Sequence, residues 1–175
     1  MLISEDYKAE QQRMHAALPE YGIASVEFAP KVSELINQLC ITDILDYGCG
    51  KGRLAQNLQV DHACRITAYD PGMPGLDDAP DPAEMVCCID VLEHIEPGLI
   101  DNVLDDLQRV TKQYGFFTVH TGAAIKMLSD GRNAHLIQES MQWWLPKLWV
   151  RFEIHHYVAR PNGFYVLVTP GAGDE

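Results

Sequence analysis

ILDYGCGKGRLAQNL, residues 44–58, is the stretch on which the fold turns. Ile44 and Leu45 open a short apolar run, glycines at 48, 50 and 52 bend it, and Leu54 begins a helical period. A strand, a glycine turn and a helix start in that order are one step of an open α/β sheet, and such sheets bind ligands where their strands end. Upstream, KVSELINQLC (31–40) places Val32, Leu35, Ile36, Leu39 and Cys40 on one helical stripe. Downstream, RITAYD (65–70) is predicted as a second strand, and MVCCIDVL (85–92) is apolar on both faces, as in a central parallel strand covered on each side.

LIDNVLDDLQRV (99–110) then puts Leu99, Ile100, Val103, Leu104, Leu107 and Val110 on one face of an amphipathic helix. Gly115 is predicted to break the pattern before a strand FFTVH (116–120), and QESMQWWLPKLW (138–149) to be helical at least to Pro146, its Trp143, Trp144 and Trp149 packing on the sheet. FEIHHYV, a Pro161-Asn162-Gly163 turn and FYVLV make a closing hairpin. Strands alternating with helices predict an α/β, three-layer sandwich with a mainly parallel sheet ending in an antiparallel hairpin. Only residues 71–84 separate the second strand from the central one. Pro71, Pro74, Pro80 and Pro82 lie among them, so the connection is an irregular loop rather than a helix.

The 175 residues, 47% hydrophobic and 22% charged, fit one globular domain over 1–175 with no linker. A net charge of −12 makes nucleic acid a poor partner. Five cysteines without a CxxC pair argue against zinc ribbons and disulfide scaffolds and for a reducing compartment. MLISEDYKAEQQ has no secretory pattern, and no apolar run nears the ~20 residues that span a bilayer, so the expected location is cytoplasmic, away from membranes.

Three ligands compete for the glycine turn. A phosphate-binding Walker loop needs Ser or Thr after Gly50-Lys51, where this chain has Gly52, and a glycine at position 46, which is Asp. A dinucleotide fingerprint needs glycine at 53, which is Arg, although Asp70 could serve as its ribose acid. The third reading uses every feature: Asp46, then Gly48-x-Gly50-x-Gly52, then Asp70 closing the next strand. That pattern resembles the S-adenosylmethionine site of class I methyltransferases, and the ligand's charge suits it, because an acid beside the turn repels a pyrophosphate and attracts an ammonium and a sulfonium.

The resemblance extends through CIDVLEHIEP (88–97), YGIAS, the YDPGMPG loop, DGRNAHLIQ and the Trp143-Trp144 pair, and is closest to compact bacterial and phage methyltransferase-domain proteins. It implies that Asp46, Tyr47, Gly48, Cys49, Gly50, Gly52, Asp70, Asp90 and Val91 hold S-adenosylmethionine, with Asp90 to His94 flooring the site beside the methyl group. The family's usual third strand has no room in the proline-rich gap, so Pro71, Gly72, Met73 and Leu76 are expected to cover the adenine, and residues 1–30 and 121–138 to cover the site.

Methyl transfer is an in-line displacement that asks the protein for alignment and, where the acceptor carries a proton, a base. His94, His135 and Asp90 are the catalytic candidates, and Arg132, Asn133 and His120 the acceptor-binding ones; Arg132 could equally belong to a loop in which Asp130 and Asn133 serve the backbone. No metal site is expected. The chain lacks the Asn/Asp-Pro-Pro-Tyr/Phe of base-amine methylation and a cysteine placed for cytosine chemistry, so the expected acceptor is a small molecule. A non-catalytic module binding S-adenosylmethionine or S-adenosylhomocysteine remains the alternative, with a nicotinamide oxidoreductase behind it.

Overall fold

The computed structural model describes residues 1–17 and 23–171; Tyr21 and Gly22 of YGIAS, and with them part of the 1–30 cover, lie outside the described residues. Six strands form one sheet: β1 Asp43–Tyr47, β2 Arg65–Tyr69, β3 Ala83–Ile89, β4 Thr111–His120, β5 Phe152–Arg160 and β6 Gly163–Pro170. Their order is β2-β1-β3-β4-β6-β5; the first four run parallel and β6 runs antiparallel to both neighbours. The chain leaves β1 toward β2 and returns on the other side to β3, which opens a crevice at the carboxyl ends of β1 and β3.

The helices are α1 Glu5–Ala17, α2 Ala24–Leu39, α3 Arg53–Asn57, α4 Ile100–Val110 and α5 Met141–Trp149. Alternate side chains of each strand point to opposite faces. Leu45, Val86, Cys88 and Phe117 meet Val103, Leu104 and Leu107 of α4 and Trp144 of α5. Ile44, Met85, Cys87 and Phe116 meet Phe28, Val32 and Ile36 of α2 and Leu54 of α3. The result is the expected three-layer α/β sandwich, and no strand stands between β2 and β3: residues 71–82 make tight turns closed by Asp70 N to Leu76 O and Met73 N to Asp70 O. Among the described residues no helix is long and apolar enough to cross a membrane.

Three local expectations are corrected. α2 begins at Ala24, not residue 31, and carries Pro30 inside; the missing backbone donor is offset by burial of Phe28 and Ala29 on the same helix. Gly115 lies within β4 rather than before it. A Cβ there would sit 2.5 Å from the Phe117 ring and 2.8 Å from Val168, so the glycine makes room for packing rather than ending the strand. α5 reaches beyond Pro146 as expected but begins at Met141, not residue 138, and Trp149 is 61% exposed rather than packed on the sheet, whereas Trp144 is fully buried with Trp143 edge-on against it.

Candidate functional site

A cavity of about 580 Å³ fills the crevice, walled by the ends of β1 to β4, by α1 and by residues 123–126 and 134–135. The glycine turn forms its inner wall. Gly48 has φ +76, and a Cβ on it would come within 2.4 Å of Val91 Cγ2, so only glycine lets the backbone turn there beneath the β3 end. Gly48 N and Cys49 N both donate to Tyr69 O, pinning the turn to β2.

Two acids flank this turn. Asp46 is 4% exposed and lines the cavity; burial and then the nearby Asp70 push its carboxyl up to about 7. Its Oδ2 is buried without a hydrogen-bond partner among the described residues. Asp70 is held from both sides, its Oδ2 accepting from Gly50 N at 2.9 Å and its Oδ1 from Gly72 N at 2.8 Å. Above Gly50 stands His15 of α1, 3.1 Å from where a Cβ would lie.

At the floor, Asp90 sits at φ +51, an unusual conformation for a residue with a side chain. Thr118 holds it there: Asp90 N donates to Thr118 Oγ1 at 2.8 Å, and that hydroxyl donates to Asp90 Oδ1 at 2.5 Å. Beyond it lies a group of imidazoles. His94 Nδ1 donates to Ala134 O at 2.8 Å and His135 Nδ1 to Gly122 O at 2.7 Å. The His135 ring lies 4.7 Å from that of His94 and 4.8 Å from that of His120. Burial, helped by His135, lowers His94 to about 3, and burial also lowers His135, so both rings are neutral near pH 7. Glu93 is fully buried beside them, with Oε1 accepting from His120 N at 2.9 Å; burial and Asp90 raise its carboxyl well above the usual range.

Of the residues expected from the sequence, Asp46, Tyr47, Gly48, Cys49, Gly50, Asp70, Pro71, Asp90, Val91, His94, His120 and His135 come together around one cavity. Tyr47 contributes mainly backbone, its hydroxyl being turned away to Asp106 at 2.9 Å. Gly52, Met73 and Leu76 stand outside the wall, so Pro71 and Gly72 are the part of the loop that reaches the cavity. Arg132 and Asn133 do not line it either. Arg132 pairs with Asp130 at 2.6 Å, and Asn133 braces its own loop, accepting from Ala124 N and His135 N and donating to Ala124 O. The polarity of DGRNAHLIQ is thus largely spent on backbone.

The 1–30 cover and the Asp90–His94 floor are expected from the sequence as segments, but Gln11 and His15 of α1, which line the cavity, and Glu93, which stands beside His94 and His135, are not singled out by it. The buried positions Tyr7, Glu10, Gln11 and Met14 have helical spacing, but two of them are polar and hide the stripe.

A family profile described as a methyltransferase domain matches residues 7–169. No curated protein matches the chain. Among solved structures, the 1,6-didemethyltoxoflavin N1-methyltransferase of Burkholderia thailandensis, with 1,6-didemethyltoxoflavin and S-adenosylhomocysteine bound, superposes with a TM-score of 0.69 at 15% identity, covering 98% of this chain and 92% of that one. The magnesium protoporphyrin IX methyltransferase of Synechocystis, with S-adenosylhomocysteine bound, gives a TM-score of 0.62 at 13% identity over 95% of this chain and 97% of that one. At such identities these likenesses speak to the fold.

Proposed function

Because the chain belongs to the methyltransferase-domain family, whose methyl donor is S-adenosylmethionine, we propose that it methylates a hydroxyl or amine of a small, largely apolar acceptor. The observation that carries the donor is Asp46, which lines the cavity and whose buried Oδ2 has no hydrogen-bond partner among the described residues. A buried, unpaired acid is costly, and the donor's ammonium is the group that would relieve it. Together with the Gly48 turn, which any Cβ would fill, this fits the donor.

Asp70, fixed by two amides, keeps lone pairs for the ribose hydroxyls, while Pro71 and Gly72 lie where the adenine is covered. Asp90, His94 and His135 face the reacting end. When bound, the donor supplies an electrophilic methyl on a sulfonium, whose sulfur keeps the electron pair of the broken bond. The protein aligns the acceptor's lone pair with that carbon and takes up the acceptor's proton at its imidazole end. The outer wall supports an apolar acceptor, being made by Leu2, Ile3, Ile23, Ile95, Ala123 and Ile125. The Burkholderia structure, with its small heterocycle bound, supports an acceptor of that size.

Calorimetry against S-adenosylhomocysteine is expected to give micromolar binding, and incubation of donor and protein with a small-metabolite extract to release that product. Failure to bind S-adenosylhomocysteine, or turnover only with a nucleic-acid or protein fraction, overturns the reading.

A further inference from the structure

Glu93, His94 and His135 each bring a ligand atom to within 4.8 Å of the other two, the one such group of three found among the described residues. Three independent features make this more than proximity. Each ring gives its Nδ1 proton to a backbone carbonyl, Ala134 O or Gly122 O, which fixes the tautomer that presents Nε2 as an electron pair. That outer hydrogen bond is the support metal-bound histidines use. Glu93 is fully buried, and its Oε2 has no hydrogen-bond partner among the described residues although Oε1 is satisfied by His120 N. Such a carboxyl calls for a partner. His94 and His135 also line the cavity, so an ion held here keeps a coordination position open to whatever occupies it.

We propose that Glu93, His94 and His135 bind one divalent transition-metal ion, zinc by its ligand chemistry, at the acceptor end of the cavity. Two imidazoles, one carboxylate and an open position make a set that zinc adopts in reactive sites, and a single oxygen ligand suits magnesium and calcium poorly. A tetrahedral ion with bonds near 2.0–2.1 Å wants its ligand atoms about 3.3 Å apart. Binding would draw the three ligand atoms, which lie within 4.8 Å of one another, closer together. Metal binding stands on these residues alone; its use rests on the methyl-transfer reading. There the two rings, being ligands, no longer take up the acceptor's proton: the open position takes the acceptor's heteroatom, which sheds that proton to solvent. The freed lone pair bonds the methyl carbon as the carbon–sulfur bond breaks and its electrons return to sulfur.

The test takes the untagged full chain, freed of metal by chelator, and titrates it with cobalt(II) and then zinc, reading visible ligand-field absorption and metal content. One cobalt per chain with a four-coordinate spectrum, displaced by zinc, is expected. Glu93→Gln and His135→Gln should each weaken uptake by more than the ~10–100-fold that changes to supporting groups cost. Calorimetry with S-adenosylhomocysteine on the same samples reports the donor site, so failure of the methyl-transfer reading shows there and failure of this one in the metal titration. X-ray absorption on the wild type, independent of whether a variant folds, should count two imidazoles. No stoichiometric uptake, fewer than two imidazoles, or uptake unchanged in both variants overturns the proposal.

Discussion

Replacing Asp46 by Asn should make the ligand-free protein more stable above neutral pH while crippling donor binding. In the folded chain the carboxyl holds its proton up to about 7; unfolded, it loses it near 3.8. The folded state therefore binds more protons between those values, and stability falls as pH rises through that window and levels off above it. At 1.36 kcal/mol per unit the shift corresponds to at most about 4 kcal/mol. Relaxation around the ionised group makes about 2 kcal/mol the realistic floor. Asn cannot ionise, so the stability difference between variant and wild type should be near its minimum at pH 4 and rise by about 2–4 kcal/mol at pH 8. For a chain of this size that is several degrees in Tm. Any cost of the Asn amide itself is the same at both pH values and cancels in the comparison. Urea unfolding at pH 4 and 8 reads it, and calorimetry should show at least tenfold weaker S-adenosylhomocysteine binding, the loss of one charge-assisted contact. A stability difference independent of pH, or unchanged ligand affinity, would refute the argument.

Gly48→Ala drives a Cβ to 2.4 Å from Val91 in a left-handed turn, so it should cost about 1–3 kcal/mol and weaken S-adenosylhomocysteine binding at least tenfold. Gly131→Ala, also left-handed but with open space around it, should cost about 1–2 kcal/mol and leave binding intact; equal effects on binding would remove the cradle argument. Glu10→Gln weakens the carboxylate that accepts from Ser129 N and Oγ at 2.6 Å and whose pKa Ser129 and Arg13 lower to about 2. The loop it anchors should then open more often, seen as faster tryptic cleavage after Lys126 and Arg132; unchanged cleavage would show that the tie does not hold the loop.

What the sequence made legible was whatever depends on neighbours in the chain. Of the stripe Leu99, Ile100, Val103, Leu104, Leu107 and Val110, all but Leu99, which precedes α4 and is half-buried, are buried, because helical spacing alone decides which face of α4 meets the sheet. The four-proline gap is the loop expected, because proline acts on its own backbone. Where tertiary packing overrides local preference, reading failed: Pro30 is tolerated because α2 buries its neighbours, and Gly115 is a packing residue of a continuous strand. The site divides in the same way. Asp46, the glycines and Asp70 sit within one strand-turn-helix-strand unit, so their spacing was readable. Glu93 and His94 meet His135 only after β4 and the following loop bring position 135 back over the floor, a juxtaposition that no local period encodes.

The absent third strand places a heavier demand on α1. On the proposed methyl-transfer reading, the loop after β2 covers the donor end and residues 121–137 the acceptor end; α1 touches both segments. Lys8 reaches Asp77 at 2.8 Å on the donor side, and Glu10 reaches Ser129 on the acceptor side. Tyr7 donates to His94 O at 2.7 Å between them. These ties are unequal. An exposed pair such as Lys8 and Asp77 is screened by solvent and contributes little, whereas the buried Glu10, bonded to a backbone amide and a hydroxyl, leaves a costly orphan if the contact is broken. α1 is therefore anchored at the acceptor loop and only lightly held at the donor loop. Opening that admits the donor should part the Lys8 contact first, while the histidine floor stays roofed.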